Sequence, residues 1–164
     1  KPALEGSSVG VSIVFDAAGI EPAIELARAH RGATLVEDYI PGAEIQVAIL
    51  GHEVLGSVEV RPASGFYDYE AKYKRDDTQY LVPPPIDPDV LARAEDAALT
   101  AHRTLGCTGY SRVDLRVSPS GDAYVLEVNT LPGMTSHSLV PKIAAWRGMS
   151  YAELCERILA LATF

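Results

Sequence analysis

The chain has 164 residues, 48% of them hydrophobic, and a formal net charge of −8. That length and apolar content suffice for one ordinary core and exclude wholesale disorder. The acidic balance argues against non-specific binding to nucleic acid or an anionic membrane, though a locally positive site is compatible with it.

The chain opens "KPALEGSSVGVSIV", without an initiator Met and as though entering mid-strand. A longer parent is therefore expected before Lys1. "VSIV" (11–14) reads as a short strand, and "EPAIELARAH" (21–30) as a helix with Pro22 in its first turn. "ATLVEDYI" (33–40) and "EIQVAILG" (44–51) read as strands, the second with Ile45, Val47 and Ile49 alternating. "EVLGSVEV" (53–60) follows closely enough to form a hairpin across Gly51 and His52. The next stretch, "RPASGFYDYEAKYKRDDTQYLVPPPIDP", has no periodicity and exceeds the roughly 12–15 residues a compact domain leaves unstructured. Within it, residues 66–82 are expected to form a lid that orders over ligand.

A helix is predicted from Pro88 to Leu105: Asp87 caps it, Pro88 opens it and Gly106 closes it. Its apolar stripe runs Leu91, Ala94, Ala98, Ala101, Leu105. "RVDLRVSPSGDAYVLEVN" (112–129) reads as a β-hairpin, and a further helix begins near "SHSLVP", where Pro141 suits a first turn. The last helix carries a capping box, Ser150 with Glu153, ahead of Leu154, Ile158 and Leu161. Cys107 and Cys155 lack metal-type spacing and read as reduced, buried thiols, which points to the cytoplasm. No run of about 18 apolar residues appears, so no membrane span is expected. No signal peptide is recognised.

The hairpin carries the strongest chemical pattern. Side chains two apart on a strand share a face. Val113, Leu115 and Val117 then point to a core, with Arg112, Asp114 and Arg116 opposite. On the return strand Tyr124, Leu126 and Val128 are expected inward, and Val125, Glu127 and Asn129 outward. A four-residue turn, "PSGD" (119–122), pairs 118 with 123 and sets Asp114 across from Glu127 and Arg112 across from Asn129. Like charges facing each other destabilise a sheet, so a cation is called for. Carboxylate and amide oxygens are hard ligands and suit Mg²⁺. A solvated face, its acids neutralised by Arg112 and Arg116, is the competing explanation.

Other segments admit two readings each. Gly6, Ser7, Ser8 and Gly10 make either a phosphate-cradling loop or a plain flexible turn. Glu37 and Glu44 bracket "DYIPG" and are either crevice carboxylates that accept from a base or ribose, or solvated strand ends. Phe66, Lys72 and Tyr73 either meet a nucleotide or pack as an aromatic-rich loop. Ser136 or Ser138 is either a helix cap or part of a carboxylate site at a helix N-terminus. The four histidines read as surface or packing residues.

Together the segments "KPALEGSSVGVS", "VEDYIPGAEIQVAILG", "GFYDYEAKY", "LGCTGYSRVDLRV" and "YVLEVNTLPGMTSHSLVP" resemble the D-alanine–D-alanine ligases of the ATP-grasp superfamily, in family order across essentially the whole chain. The resemblance implies an α+β ATP-grasp fold, an antiparallel sheet flanked by helices. Residues 1–38 would end the central subdomain and 39–164 would form the C-terminal domain. It implies ATP as cosubstrate, two Mg²⁺ or Mn²⁺ ions, D-alanine as substrate, and a parent homodimer in the cytoplasm with no nucleic-acid or membrane partner.

Residue roles follow from the same resemblance. Lys1 and Lys72 would reach ATP phosphates, and Ser7 and Ser8 would lie over the phosphates and the first substrate. Glu37 and Ile40 would meet adenine, Glu44 the ribose, and Phe66 would pack on the base. Tyr73 would bond with Ser7 and with a glutamate outside this chain. Asp114, Glu127 and Asn129 would bind the metals. Arg112 and the Gly133 backbone would hold the oxyanion, and Ser138 and Leu139 the second substrate's carboxylate. The rival expectations are another ATP-grasp carboxylate–amine ligase, and an inactive nucleotide-binding fragment.

Overall fold

The computed structural model describes residues 1–62 and 78–162. They divide into two compact units, Lys1–Tyr39 with Pro62 and Thr78 in one, and Ile40–Arg61 with the chain from Gln79 onward in the other.

In the first unit, helix α1 (Ile20–Arg28) follows a short 3₁₀ turn capped by Asp16, whose carboxylate accepts from the Gly19 N–H at 3.0 Å. Glu21 in its first turn and Arg28 in its last suit the helix dipole. The expected strands at 11–14 and 33–40 do not form. Among the described residues, the only ladder contact here is an isolated bridge between Pro2 and Thr34, flanked by Ala3 N–H to Ala33 O and Leu35 N–H to Lys1 O, both 2.8 Å. Those runs have strand-like composition, but among the described residues their backbone pairing is confined to this short contact of 33–35 with residues 1–3. Val36 accordingly stays 79% exposed.

The second unit is built on a five-stranded antiparallel sheet, order β3-β2-β1-β4-β5. The strands are β1 (Ala43–Leu50), β2 (Glu53–Arg61), β3 (Gln79–Leu81), β4 (Tyr110–Val117) and β5 (Ala123–Asn129). β1 and β2 turn through Gly51 and His52, with Leu50 opposite Glu53 and Gly51 at φ 63°. β3, which pairs with Glu59–Arg61, lies inside the stretch expected to be unstructured. Gln79–Leu81 of the expected lid is therefore sheet edge, and residues 66–77 lie outside the described residues.

Helix α2 (Pro88–Thr104) covers one face. Ala94 and Ala98 pack on Ile45, Val47, Ile49, Val113, Leu115 and Val117, all essentially buried. Two alanines let the helix lie close to the branched side chains beneath it. Asp87 caps it, accepting from the N–H groups of Asp89 and Val90 at 2.9 and 3.2 Å. The buried stripe departs from expectation at its end. Leu105 sits just past the helix and is 67% exposed, while His102, one turn beyond Ala98, is fully buried.

Helices α3 (Leu139–Trp146) and α4 (Tyr151–Ala160) complete the unit. α3 packs on β1 and β2 on the other face, with Ile143 against Gly56. Ser150 caps α4 by accepting from Glu153 N–H at 3.2 Å.

The 112–129 hairpin needs one correction. Asp114 does face Glu127, and Arg112 faces Asn129, but Val117 pairs with Ala123, and the register shifts between Asp114 and Leu115. The turn is thus one residue longer than expected, and a bulge at Leu126 restores the register before the carboxylates. Tyr124, expected inward, stands opposite Arg116 on the charged face, and Leu126 is 45% exposed rather than core.

Candidate functional site

Antiparallel register places a row of polar side chains on the face opposite α2. Glu44, Gln46 and Ala48 of β1 stand beside Arg116, Asp114 and Arg112 of β4, and Tyr124, Glu127 and Asn129 of β5 extend the row to the sheet edge. The opposite parity of the same strands supplies the core, so one alternation builds both fold and site.

Charge within the row is compensated locally. Arg112 forks onto Asp114, Nε to Oδ1 at 2.7 Å and Nη2 to Oδ2 at 2.8 Å. Asp114 is only 8% exposed, so this bidentate bond gives a buried carboxylate its countercharge. Arg116 donates from Nε to the Ile40 carbonyl at 3.0 Å and lies 3.6 Å from Glu44. Glu127 accepts from Asn129 Nδ2 at 3.1 Å. The arginine neutralisation weighed against a metal is thus realised in this state. The donor set still fits a divalent cation. Asp114 and Glu127 are directly opposed, Asn129 lies next along the same face, and a carboxylate oxygen holding one Arg bond keeps a second lone pair.

Beyond β5 the chain makes a tight loop into α3. Ser138 occupies the N-cap position without capping the helix. Its Oγ turns back, accepting from Thr135 N–H at 3.0 Å and standing 3.0 Å from Thr135 Oγ1. When Thr135 donates both bonds, the Ser138 hydroxyl proton is left for another acceptor. Leu139 is buried, so only its backbone can serve a ligand. Gly133 is pressed against Ser138, where a Cβ would come within 2.8 Å of Oγ.

In the first unit, Ser7 and Ser8 both adopt left-handed backbone, φ 54° and 61°, in a turn closed by Val9 N–H to Gly6 O at 3.1 Å. Two successive non-glycine residues there are uncommon and belong to over-determined, often functional, turns. Lys1 Nζ and Glu37 form an ion pair at 2.5 Å, so the two residues expected to meet different parts of a nucleotide meet each other. Phe66, Lys72 and Tyr73 lie outside the described residues.

Three residues escaped the sequence reading as site members. Gln46 is 2% exposed, faces Asp114 across the ladder, and its Oε1 has no hydrogen-bond partner among the described residues. A polar residue inside the otherwise apolar run "IQVAIL" was the available signal. Tyr110 and Tyr151 reach the 132–134 loop with their hydroxyls, and nothing in their local sequence announces it.

Comparison with known proteins bears on this arrangement. Residues 1–160 match the family model described as D-ala D-ala ligase C-terminus. A D-alanine–D-alanine ligase of Anaeromyxobacter sp. strain Fw109-5 is 53% identical over 159 residues, covering 97% of this chain and 52% of that protein. The chain thus spans about half the length of the curated relatives it matches. Among solved structures, the VanG D-Ala:D-Ser ligase from Enterococcus faecalis aligns with a TM-score of 0.86 at 38% identity, over 98% of this chain and 48% of that one. The D-alanine–D-alanine ligase of Bacillus anthracis, solved in complex with ATP, aligns with a TM-score of 0.79 at 33% identity, over 93% of this chain and 48% of that one. An antiparallel sheet with charged and apolar faces, matched to these proteins over nearly its whole length, places the chain in the D-alanine–D-alanine ligase C-terminal family, with the ATP-grasp fold.

Proposed function

We propose that this chain supplies the C-terminal catalytic portion of an ATP-dependent ligase that joins two D-alanines for peptidoglycan precursors in the cytoplasm. Residues 1–38 end the central subdomain and 39–164 make the C-terminal domain in this reading. The observation that carries it is the pairing of Asp114 with Glu127, beside Asn129 and Arg112, on the face opposite the core.

A carboxylate oxygen of the first D-alanine attacks the γ-phosphorus of ATP, and ADP leaves. The amine of the second then attacks the activated carbonyl carbon, phosphate leaves, and the ammonium proton is lost to solvent. Divalent cations held by Asp114, Glu127 and Asn129 would supply charge neutralisation on the phosphoryl oxygens. Lys1 and Lys72 add positive charge at the phosphates, and Ser7 and Ser8 close over them. Glu37, the Ile40 backbone and Phe66 hold the base, and Glu44 the ribose hydroxyls. Tyr73 orients the first substrate through Ser7. Arg112 has two roles: it holds Asp114 when the site is empty, and it turns to the developing oxyanion together with the Gly133 N–H. Ser138 and the first turn of α3, at Leu139, take the second substrate's carboxylate. The parent is a homodimer that binds neither nucleic acid nor membrane.

Asp114→Asn tests this in a protein in which the chain is joined to the N-terminal half of its 53% identical relative. Magnesium is titrated at saturating ATP and D-alanine. The magnesium concentration for half-maximal rate should rise at least tenfold, with kcat reduced. An unaltered magnesium requirement and rate would remove Asp114 from the site.

A further inference from the structure

The peptide groups around Gly133 are held in part by two tyrosines that none of the roles above uses. Tyr151 Oη donates to the Met134 carbonyl at 2.8 Å. The N–H of that same peptide group, on Thr135, donates to Ser138 Oγ at 3.0 Å. The 134–135 peptide is therefore fixed at both ends. Tyr110 Oη donates to the Pro132 carbonyl at 3.4 Å, a long bond for a hydroxyl. A trans peptide is planar, with its C=O and N–H pointing opposite ways. Whatever orients the Pro132 carbonyl therefore also orients the Gly133 N–H, which belongs to the same plane. Among the described residues no acceptor takes up that N–H, and Gly133 is exposed.

The two tyrosines come from elements far apart in sequence, the first residue of β4 and the first of α4. The Cys155 thiol lies close to both hydroxyls. Burial, and then Cys155, push the Tyr110 hydroxyl above its ordinary value; Tyr151 is pushed up by its hydrogen bond and charge interaction with Cys155. Both hydroxyls thus remain protonated donors at neutral pH.

We propose that Tyr110 and Tyr151 are a positioning pair that brackets Gly133 and aims its N–H at the oxygen that becomes negative when the second substrate attacks. This rests on the ligase reading, since the oxyanion is that reaction's. Neither tyrosine touches substrate. Each acts through the backbone of residues 132–135, Tyr151 by anchoring the loop and Tyr110 by setting the plane that carries the donor. Preorganisation of this kind matters because a donor turned away from the oxyanion contributes only when it is turned back, at a cost within the activated complex. Losing an oxyanion donor outright costs about 10²–10³ in kcat in a well-studied protease, so mis-aiming one should cost a fraction of that.

The test uses Tyr151→Phe and Tyr110→Phe, which keep the rings and remove only the hydroxyls. In the joined protein described above, each should lower kcat for dipeptide formation by about 5–30-fold. KM for ATP should stay within about twofold, as should scrambling of the ATP β,γ-bridge oxygen, which reports phosphoryl transfer before amine attack. In the 164-residue chain itself, amide exchange at Thr135 should quicken about fivefold or more in Tyr151→Phe. That second readout needs no activity, so it judges the clamp even where a parent protein without ligation would refute the ligase reading. Unchanged kcat in both variants would overturn the proposal, whether or not exchange quickens. So would a loss of kcat accompanied by an equal loss of phosphoryl transfer, because the tyrosines would then serve the whole site and not the attack step.

Discussion

His102 is enclosed between α2 and the sheet, its Nδ1 2.7 Å from Ser111 Oγ and its ring edge-on to His52. Burial lowers its pKa below the ordinary 6.5, and the nearby charges of His52 and Arg103 add to that. The Gly51 and Cys107 backbones pull the other way, while Nε2 has no hydrogen-bond partner among the described residues. The sign for stability follows directly. Below pH 6.5 the unfolded chain takes up a proton at residue 102 that the folded chain resists. His102 therefore contributes stability above 6.5 that is lost as pH falls through the window beneath it. Urea midpoints measured between pH 7.5 and 5 should fall for the native chain, and fall less steeply for His102→Gln. Parallel slopes would mean that other groups carry the acid sensitivity. The sequence left all four histidines as surface or packing residues and did not single out His102. The periodicity pointed to Leu105, and the helix end at Thr104 decided otherwise.

At the scale of elements, strands and helices with both a periodic pattern and a partner were legible, and those lacking a partner were not. β1, β2, α2 and α4 follow alternation, caps and turn residues closely. The 33–40 run has the same kind of composition but, among the described residues, only one bridging contact. The hairpin shows a subtler limit. Its carboxylate pairing was correct although the turn was counted one residue short, because the bulge at Leu126 cancels the error. Alternation alone carries no signal for a bulge, so Tyr124 was placed on the wrong face. β1 itself enters beside the end of β4 through Gly42, at φ 116°, where a Cβ would stand 2.0 Å from the Val117 carbonyl oxygen. Gly42→Ala must both strain the backbone and push the strands apart next to Glu44 and Arg116. The expected cost is about 3 kcal/mol or more. Gly106→Ala is the control: φ is 70° but nothing lies within 4 Å of the added methyl. It should cost only about 1–2 kcal/mol. Denaturant unfolding of both variants measures the difference, and equal losses would show that backbone strain, not the strand contact, sets the cost at residue 42.

For the whole molecule the question is whether folding and turnover separate. The second unit has its own closed core: Ile45, Ile49, Leu115, Ile143 and Leu154 are all essentially buried, and both sheet faces carry helices. The 164-residue chain should therefore unfold cooperatively by circular dichroism. Its site residues are a different matter. Asp114, Glu127 and Asn129 share a face through local register, which is why their juxtaposition could be anticipated from spacing. The residues left a nucleotide role and a plain one open for Ser7, Glu37 and Tyr73, and the family resemblance chose between them and assigned Lys1; it also puts one member of the Ser7–Tyr73 network outside this chain. The relatives are about twice as long, with 52% of the Anaeromyxobacter protein covered. Catalytic groups that act together lose activity together, so half a constellation does not give half the rate. Supplied with Mg²⁺, ATP and D-alanine, the purified chain is expected to form dipeptide at less than about a tenth of the rate of a full-length relative while keeping its thermal transition. Phosphate release and dipeptide assays, run beside a melting curve on the same sample, check both halves of the expectation. Turnover within tenfold of the relative would mean that the residues on this chain suffice for ligation. A chain with neither turnover nor a cooperative transition would instead show that the core of the second unit depends on sequence beyond these 164 residues.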